Sequence, residues 1–221
     1  MKQFNKLVAI LLIASGVLGV SGCSNKIDLV DSSKIGSNSE IASNIILADQ
    51  EIDTKAYTLK APEGWKHTVH DTNVLLEGGK GKNNTITVAF IPEPEMDEVD
   101  INEYIEVLEN KLILRMKEVD LETQVKSEAV TLPSGEAGVF TVESPLTSQS
   151  IQGWVASGSL TQAQIDEVGG EEEFIAKNKA IQIHIHILTD KGMFMMVSQS
   201  INEEESTREY SHAVANTIIV K

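Results

Sequence analysis

Cysteine is almost absent from this 221-residue chain. A single cysteine excludes both an intramolecular disulfide framework and a zinc cluster built on cysteines. Aromatic residues are sparse at 5%, and basic residues are outnumbered, 18 Lys and Arg against 33 Asp and Glu, for a net charge of −15. That balance argues against nucleic acid as a partner, because affinity for it rests on Lys and Arg contacts to phosphate. No apolar run reaches the roughly 20 residues of a membrane-spanning helix. The longest, Leu7 to Val20, has 14. Core-forming residues are present in ordinary amount, 41% of the chain, which separates it from disordered acidic sequences. At roughly 100–200 residues per domain, one globular domain behind a leader is the simplest division.

The leader is the most specific feature. Lys2 and Lys6 precede the apolar run, which ends in Val20-Ser21-Gly22-Cys23 and then polar Ser24, Asn25 and Lys26. Charged, apolar and small-residue regions in that order are those of a secretory signal. Val20, Ser21, Gly22 and Cys23 resemble the lipobox of bacterial lipoproteins. The resemblance implies a signal peptide over residues 1–22, cleavage before Cys23, and a covalent diacylglyceryl lipid on its sulfur. Two acyl chains anchor stably where one is marginal. The protein is therefore expected outside the cytoplasm, held to the bacterial cell membrane by this lipid. Cleavage removes two lysines and leaves 199 residues carrying −17, a charge that an anionic leaflet repels.

Residues 23–44 are rich in Ser, Asn, Asp and Lys with no sustained period, and read as a flexible stalk. Residues 45–221 read as one mixed α and β domain. Residues 56–61 alternate and meet the turn Pro62-Glu63-Gly64-Trp65, and Thr85 to Ile91 is a strand stopped by Pro92. Asp100 and Glu103 fit a capping box, followed by Ile101, Tyr104, Ile105, Leu108, Leu112 and Met116 on one stripe of a helix ending near Glu118. Two hairpins follow, one around Pro133-Ser134-Gly135 and one around Asp190-Lys191-Gly192. Asn202 and Glu205 offer a second capping box before a closing helix carrying Tyr210, Val214, Thr217 and Ile218. Between the hairpins, residues 148–178 read as an elaboration with weak structure of its own, a kind of segment that is often functional.

Tyr57-Thr58-Leu59-Lys60-Ala61-Pro62-Glu63-Gly64-Trp65, Val88-Ala89-Phe90 and the helix after them resemble the PsbP-like fold, in its DcrB-type bacterial lipoprotein form. The resemblance implies an α+β fold in which a central antiparallel sheet carries helices on both faces. It also implies a non-catalytic binding or accessory role, with an envelope protein or a small ligand as partner and no catalytic set to transfer.

The residues themselves offer one constellation. In Ile181-Gln182-Ile183-His184-Ile185-His186-Ile187, strand periodicity puts the isoleucines on one face and both imidazoles on the other. If the hairpin closes through Thr189 and Gly192, Met195 lies opposite His186 and Val197 opposite His184. Two histidines beside Met193 and Met195 suit a soft metal such as copper, or zinc with a third ligand from elsewhere. The bland alternative is a half-polar face covered by a helix, with the histidines hydrogen-bonded to neighbours. His67 and His70 read as surface residues, and Glu93 to Asp100 as a solvated acidic loop. Gly78 to Lys82 lacks the Ser or Thr and the helix of a phosphate-binding loop. Trp154 is a candidate partner anchor, with burial in a core as the alternative. No Gly-x-Ser-x-Gly elbow is present, so a cell-envelope hydrolase is carried only as an alternative.

Overall fold

The computed structural model describes residues 45–78, 84–118, 122–156 and 158–221. The expected signal peptide, Val20, Ser21, Gly22, Cys23, the stalk up to residue 44 and most of the glycine-lysine loop lie outside them.

The chain is α+β. Its larger sheet has seven antiparallel strands in the order β3 (Lys66–His70), β4 (Asn73–Glu77), β5 (Thr85–Ile91), β9 (Gly192–Ile201), β8 (Lys179–Thr189), β7 (Gly135–Pro145) and β6 (Gln124–Leu132). The smaller has three, β1 (Leu47–Asp53), β2 (Tyr57–Pro62) and β10 (Ile219–Val220), with β2 in the middle. Five helices accompany them: α1 (Ile101–Glu118), α2 (Ser148–Ala156), α3 (Gln162–Glu167), α4 (Glu171–Lys177) and α5 (Glu204–Ala215).

Strand β8 organises the packing. Ile181, Ile183, Ile185 and Ile187 point to one face and join Val74, Leu76, Ile86, Val88, Val139, Phe194 and Met196 in the main core. Val214 and Ala215 of α5 and Tyr57 and Leu59 of β2 cover that face, with the Tyr57 ring edge-on to Phe194 at 5.1 Å. The opposite face packs Phe140, Leu188 and Met193 against Ile101, Tyr104, Ile105 and Leu108 of α1. Helices therefore lie on both faces of the large sheet, as expected.

Local chemistry sets the boundaries. Asp100 Oδ1 accepts from the amides of Asn102 and Glu103 at 2.9 and 3.0 Å, which satisfies two of the four orphan donors at the start of α1. The first hairpin closes with Leu132 opposite Gly135. Gly135 has φ of +153°, and a Cβ there would lie 2.2 Å from the Leu188 carbonyl oxygen, so only glycine passes. The second closes with Thr189 opposite Gly192, and Thr189 Oγ1 both donates to the Gly192 carbonyl (2.7 Å) and accepts from its amide (3.1 Å).

Three expectations are corrected. Asn202 does not cap the closing helix: the cap position is Glu203, without a side-chain hydrogen bond. Asn202 sits at φ of +59° and accepts from the Lys179 amide at 2.8 Å, so its side chain closes the end of β8 instead. The closing helix stops at Ala215, before Thr217 and Ile218. Thr217 Oγ1 donates to the Val214 carbonyl (2.7 Å) and accepts from the Lys60 amide (2.9 Å), which leads the chain out into β10. Residues 148–178 are not weakly structured. They form α2, α3 and α4 around a small core of Leu146, Ile151, Leu160, Ile165 and Phe174, docked on Ala180 and Ile201. Their apolar residues are spread over three short helices, so no single period shows.

α5 meets β9 through hydroxyls as well as apolar groups. Ser211 Oγ shares a hydrogen bond with Ser198 Oγ, and Thr207 Oγ1 with Ser200 Oγ, both at 2.6 Å. His212 is 3% exposed, and its Nε2 has no partner among the described residues. Burial, then the nearby Arg208 guanidinium, pushes its pKa from 6.5 down to about 4. Arg208 itself is ion-paired with Glu128 of β6.

This lowering has a sign. Between pH 6.5 and about 4 the unfolded chain binds a proton at His212 that the native state refuses. The stability due to neutral His212 is thus complete above pH 6.5 and drains as pH falls towards 4. In urea denaturation, His212→Gln should lose less stability than the parent between pH 7 and pH 4.5. Equal losses in the two proteins would contradict this account.

Candidate functional site

Two rows of paired residues cross the α1 face of the large sheet. One runs Leu75, Thr87, Val197, His184, Phe140 and Ser127; the other runs Asn73, Ala89, Met195, His186, Gly138 and Ala129. The register of Met195 against His186 and Val197 against His184 is the one the hairpin arithmetic requires.

α1 lies across the β6 and β7 ends of these rows. Ser127 Oγ donates to a Glu109 carboxylate oxygen of the helix. Gly138 allows the approach, since a Cβ there would meet Ile105 Cγ1 at 2.9 Å. Towards β5 the cover thins: Leu75, Ala89 and Val197 are half-buried and Thr87 is exposed. His184 and Met195, at 8% and 6% exposure, sit where the cover gives out.

His186 is fully buried. Its Nδ1 is 2.6 Å from the Tyr104 hydroxyl, and that hydroxyl is 3.0 Å from Met193 Sδ. A thioether has no proton to give, and a phenol has one. The arrangement that satisfies both contacts has Tyr104 donating to Met193 and accepting from His186 Nδ1–H. His186 Nε2 then carries a lone pair, and this atom is buried without a partner among the described residues. Beside the His186 ring stand the Phe140 ring, edge-on with centroids 5.7 Å apart, and the Tyr104 ring at 5.9 Å.

The His184 ring lies 6.2 Å from that of His186, and its Nε2 is 3.1 Å from Gln182 Oε1. An amide oxygen only accepts, so His184 donates through Nε2 and keeps its lone pair on Nδ1. Burial pushes the His184 pKa down to about 4. Burial and, secondarily, His184 push that of His186 to about 3. Both rings are neutral at pH 7.

The structure therefore brings His184, His186, Met193 and Met195 to one face, as the sequence pattern requires. Among the described residues no group of three His, Cys, Asp or Glu could hold a metal, so the third ligand that zinc needs from those types is not supplied there. Tyr104 is the residue that sequence reasoning missed. Its place in the apolar stripe of α1 is visible in the sequence, but the partner of its hydroxyl is not.

The other candidates fall elsewhere. Trp154 is half-buried on α2 against the small core. His67 and His70 are exposed on β3, the edge strand. In the acidic loop, Met96 is buried and pins a 3-10 turn over Met96–Glu98, whose own carboxylates face solvent. An open groove of about 940 Å³ runs between the end of α1 and α4, lined by Ile113, Lys117, Pro145, Ile175 and Lys179 among others, and Lys179 there is paired with Glu143.

No protein-family model matches this chain, and no curated protein matches it. Among solved structures, a crystal structure of a protein from Bacteroides thetaiotaomicron VPI-5482 is similar at a TM-score of 0.42 and 8% identity, over 75% of this chain and 45% of that one. The chain spans less than half of that protein's length, and a likeness this slight carries no functional argument.

The Tyr104 hydroxyl is a polar link between α1 and the inner strands β8 and β9. Tyr104→Phe leaves His186 Nδ1 and Met193 without it and should cost about 1–3 kcal/mol of stability in urea denaturation at pH 7. An unchanged midpoint would show that the link contributes nothing.

Proposed function

We propose that this protein is a lipid-anchored, extracytoplasmic binding module of the bacterial cell envelope, holding a small ligand without catalysis at the α1 face of its large sheet. Its placement is supported by the order Lys2, Lys6, the apolar run and Val20-Ser21-Gly22-Cys23. The observation that carries the binding role is the buried, unpartnered Nε2 of His186 at the floor of a face whose cover thins beside it. Buried polar atoms nearly always have partners, and one without marks a place that a ligand can complete.

A hydrolase has less support. Ser198, Ser200 and Ser211 belong to the opposite face from the two histidines, and the Ser198 and Ser200 hydroxyls are hydrogen-bonded to Ser211 and Thr207. The metal-handling alternative uses the same imidazoles and falls within the binding reading.

Labelled fatty acid supplied to a bacterium producing the full chain should enter the wild-type protein and be lost completely from Cys23→Ala. Label in the variant, or none in the wild type, would overturn the anchored reading.

A further inference from the structure

We infer that His184, His186 and Met195 form a site for a soft monovalent metal cation, with copper(I) as the ion of that class to test. The inference rests on the reading that this face takes a ligand, and is independent of the anchor.

Geometry supplies the donors. His184 and His186 are two apart on β8 and share a face. Met195 is directly opposite His186 across an antiparallel pair, where Cβ atoms lie roughly 4.5–5.5 Å apart. Each ring has one nitrogen committed: His186 Nδ1 to Tyr104 and His184 Nε2 to Gln182. Each keeps one lone pair for a metal, Nε2 on His186 and Nδ1 on His184. Tyr104 therefore acts as metal-site outer groups commonly do, fixing the tautomer and orientation of a ligating ring. Met193 is left out of the set because its sulfur accepts the Tyr104 hydrogen bond.

Charge selects the ion. Two neutral imidazoles and a thioether bring no negative charge, and no carboxylate or thiolate joins them in a metal-holding group among the described residues. A dication would sit uncompensated beside Phe140 and Leu188, whereas a monocation carries half that charge into the same surroundings. Imidazole with thioether is also the soft donor set that suits copper(I). Entry is from the β5 side, past half-buried Val197 and exposed Thr87.

The test is an anaerobic titration of the full chain in detergent with copper(I), in competition with bicinchoninate. One copper(I) per chain should bind, with both nitrogen and sulfur in its X-ray absorption shell. Met195→Leu keeps an apolar side chain of similar size, and it should lower the affinity by about tenfold or more. Met193→Leu, outside the donor set, should not. On the wild-type protein, which needs no variant to fold, copper(I) should shift the ¹⁵N resonance of His186 Nε2. An unmoved resonance, a shell without sulfur, equal affinity in Met195→Leu, or tighter binding of zinc(II) than of copper(I) would each overturn the assignment. Fatty-acid labelling at Cys23 stands or falls separately, so failure of the metal site and failure of the anchor are distinguishable.

Discussion

Strand β8 is hydrogen-bonded on both edges and covered on both faces, so all but two of its eleven residues are buried. A strand in that position is normally apolar throughout. Here one face is apolar by alternation of isoleucine, and the other carries two imidazoles that must be satisfied or left wanting. The layers follow from this division. The isoleucine face collects α5, β2 and the largest core. The histidine face collects α1, whose approach depends on Gly138 and whose polar contact with the strand runs through Tyr104.

The histidine face is not a simple core. Burial keeps both imidazoles uncharged, which removes the large cost of a buried cation, but a neutral imidazole still has two polar nitrogens. His184 has one engaged by Gln182, and His186 has one engaged by Tyr104. Leaving the second atom of His186 unpartnered costs free energy that an apolar residue would not. Leu188, two residues further along the same face, is apolar and packs in the core with α1. The arrangement is thus more demanding than packing alone requires.

Legibility in the sequence followed the range of the interactions. The hairpins and α1 were readable because their signals are local: a two-residue turn fixes the register of His186 against Met195, and Asp100 marks where α1 begins. The alternation in β8 gave both of its faces. Asn202 misled because its spacing to Glu205 suits a cap, while Lys179, twenty-three residues earlier, takes the side chain. β10 is two residues long and is held by contacts with β2 and the chain before it, such as Thr217 with Lys60, that have no local signature. The small core under α2, α3 and α4 was hidden because each helix contributes one or two residues to it. Tyr104 was visible as an apolar position, but its hydroxyl acquires meaning only when α1 crosses β8.

The strand order also fixes which contacts close last as the molecule folds. β5 has β9 as its inner neighbour, with Thr85 opposite Gln199, and β2 receives β10, with Tyr57 opposite Val220. Until β9 and α5 have docked, the β3–β5 meander has an open edge and an uncovered face. Such distant pairings close loops of more than a hundred residues, and they are slow to form. The large sheet therefore closes only when β9 meets β5, and the small one only when β10 meets β2.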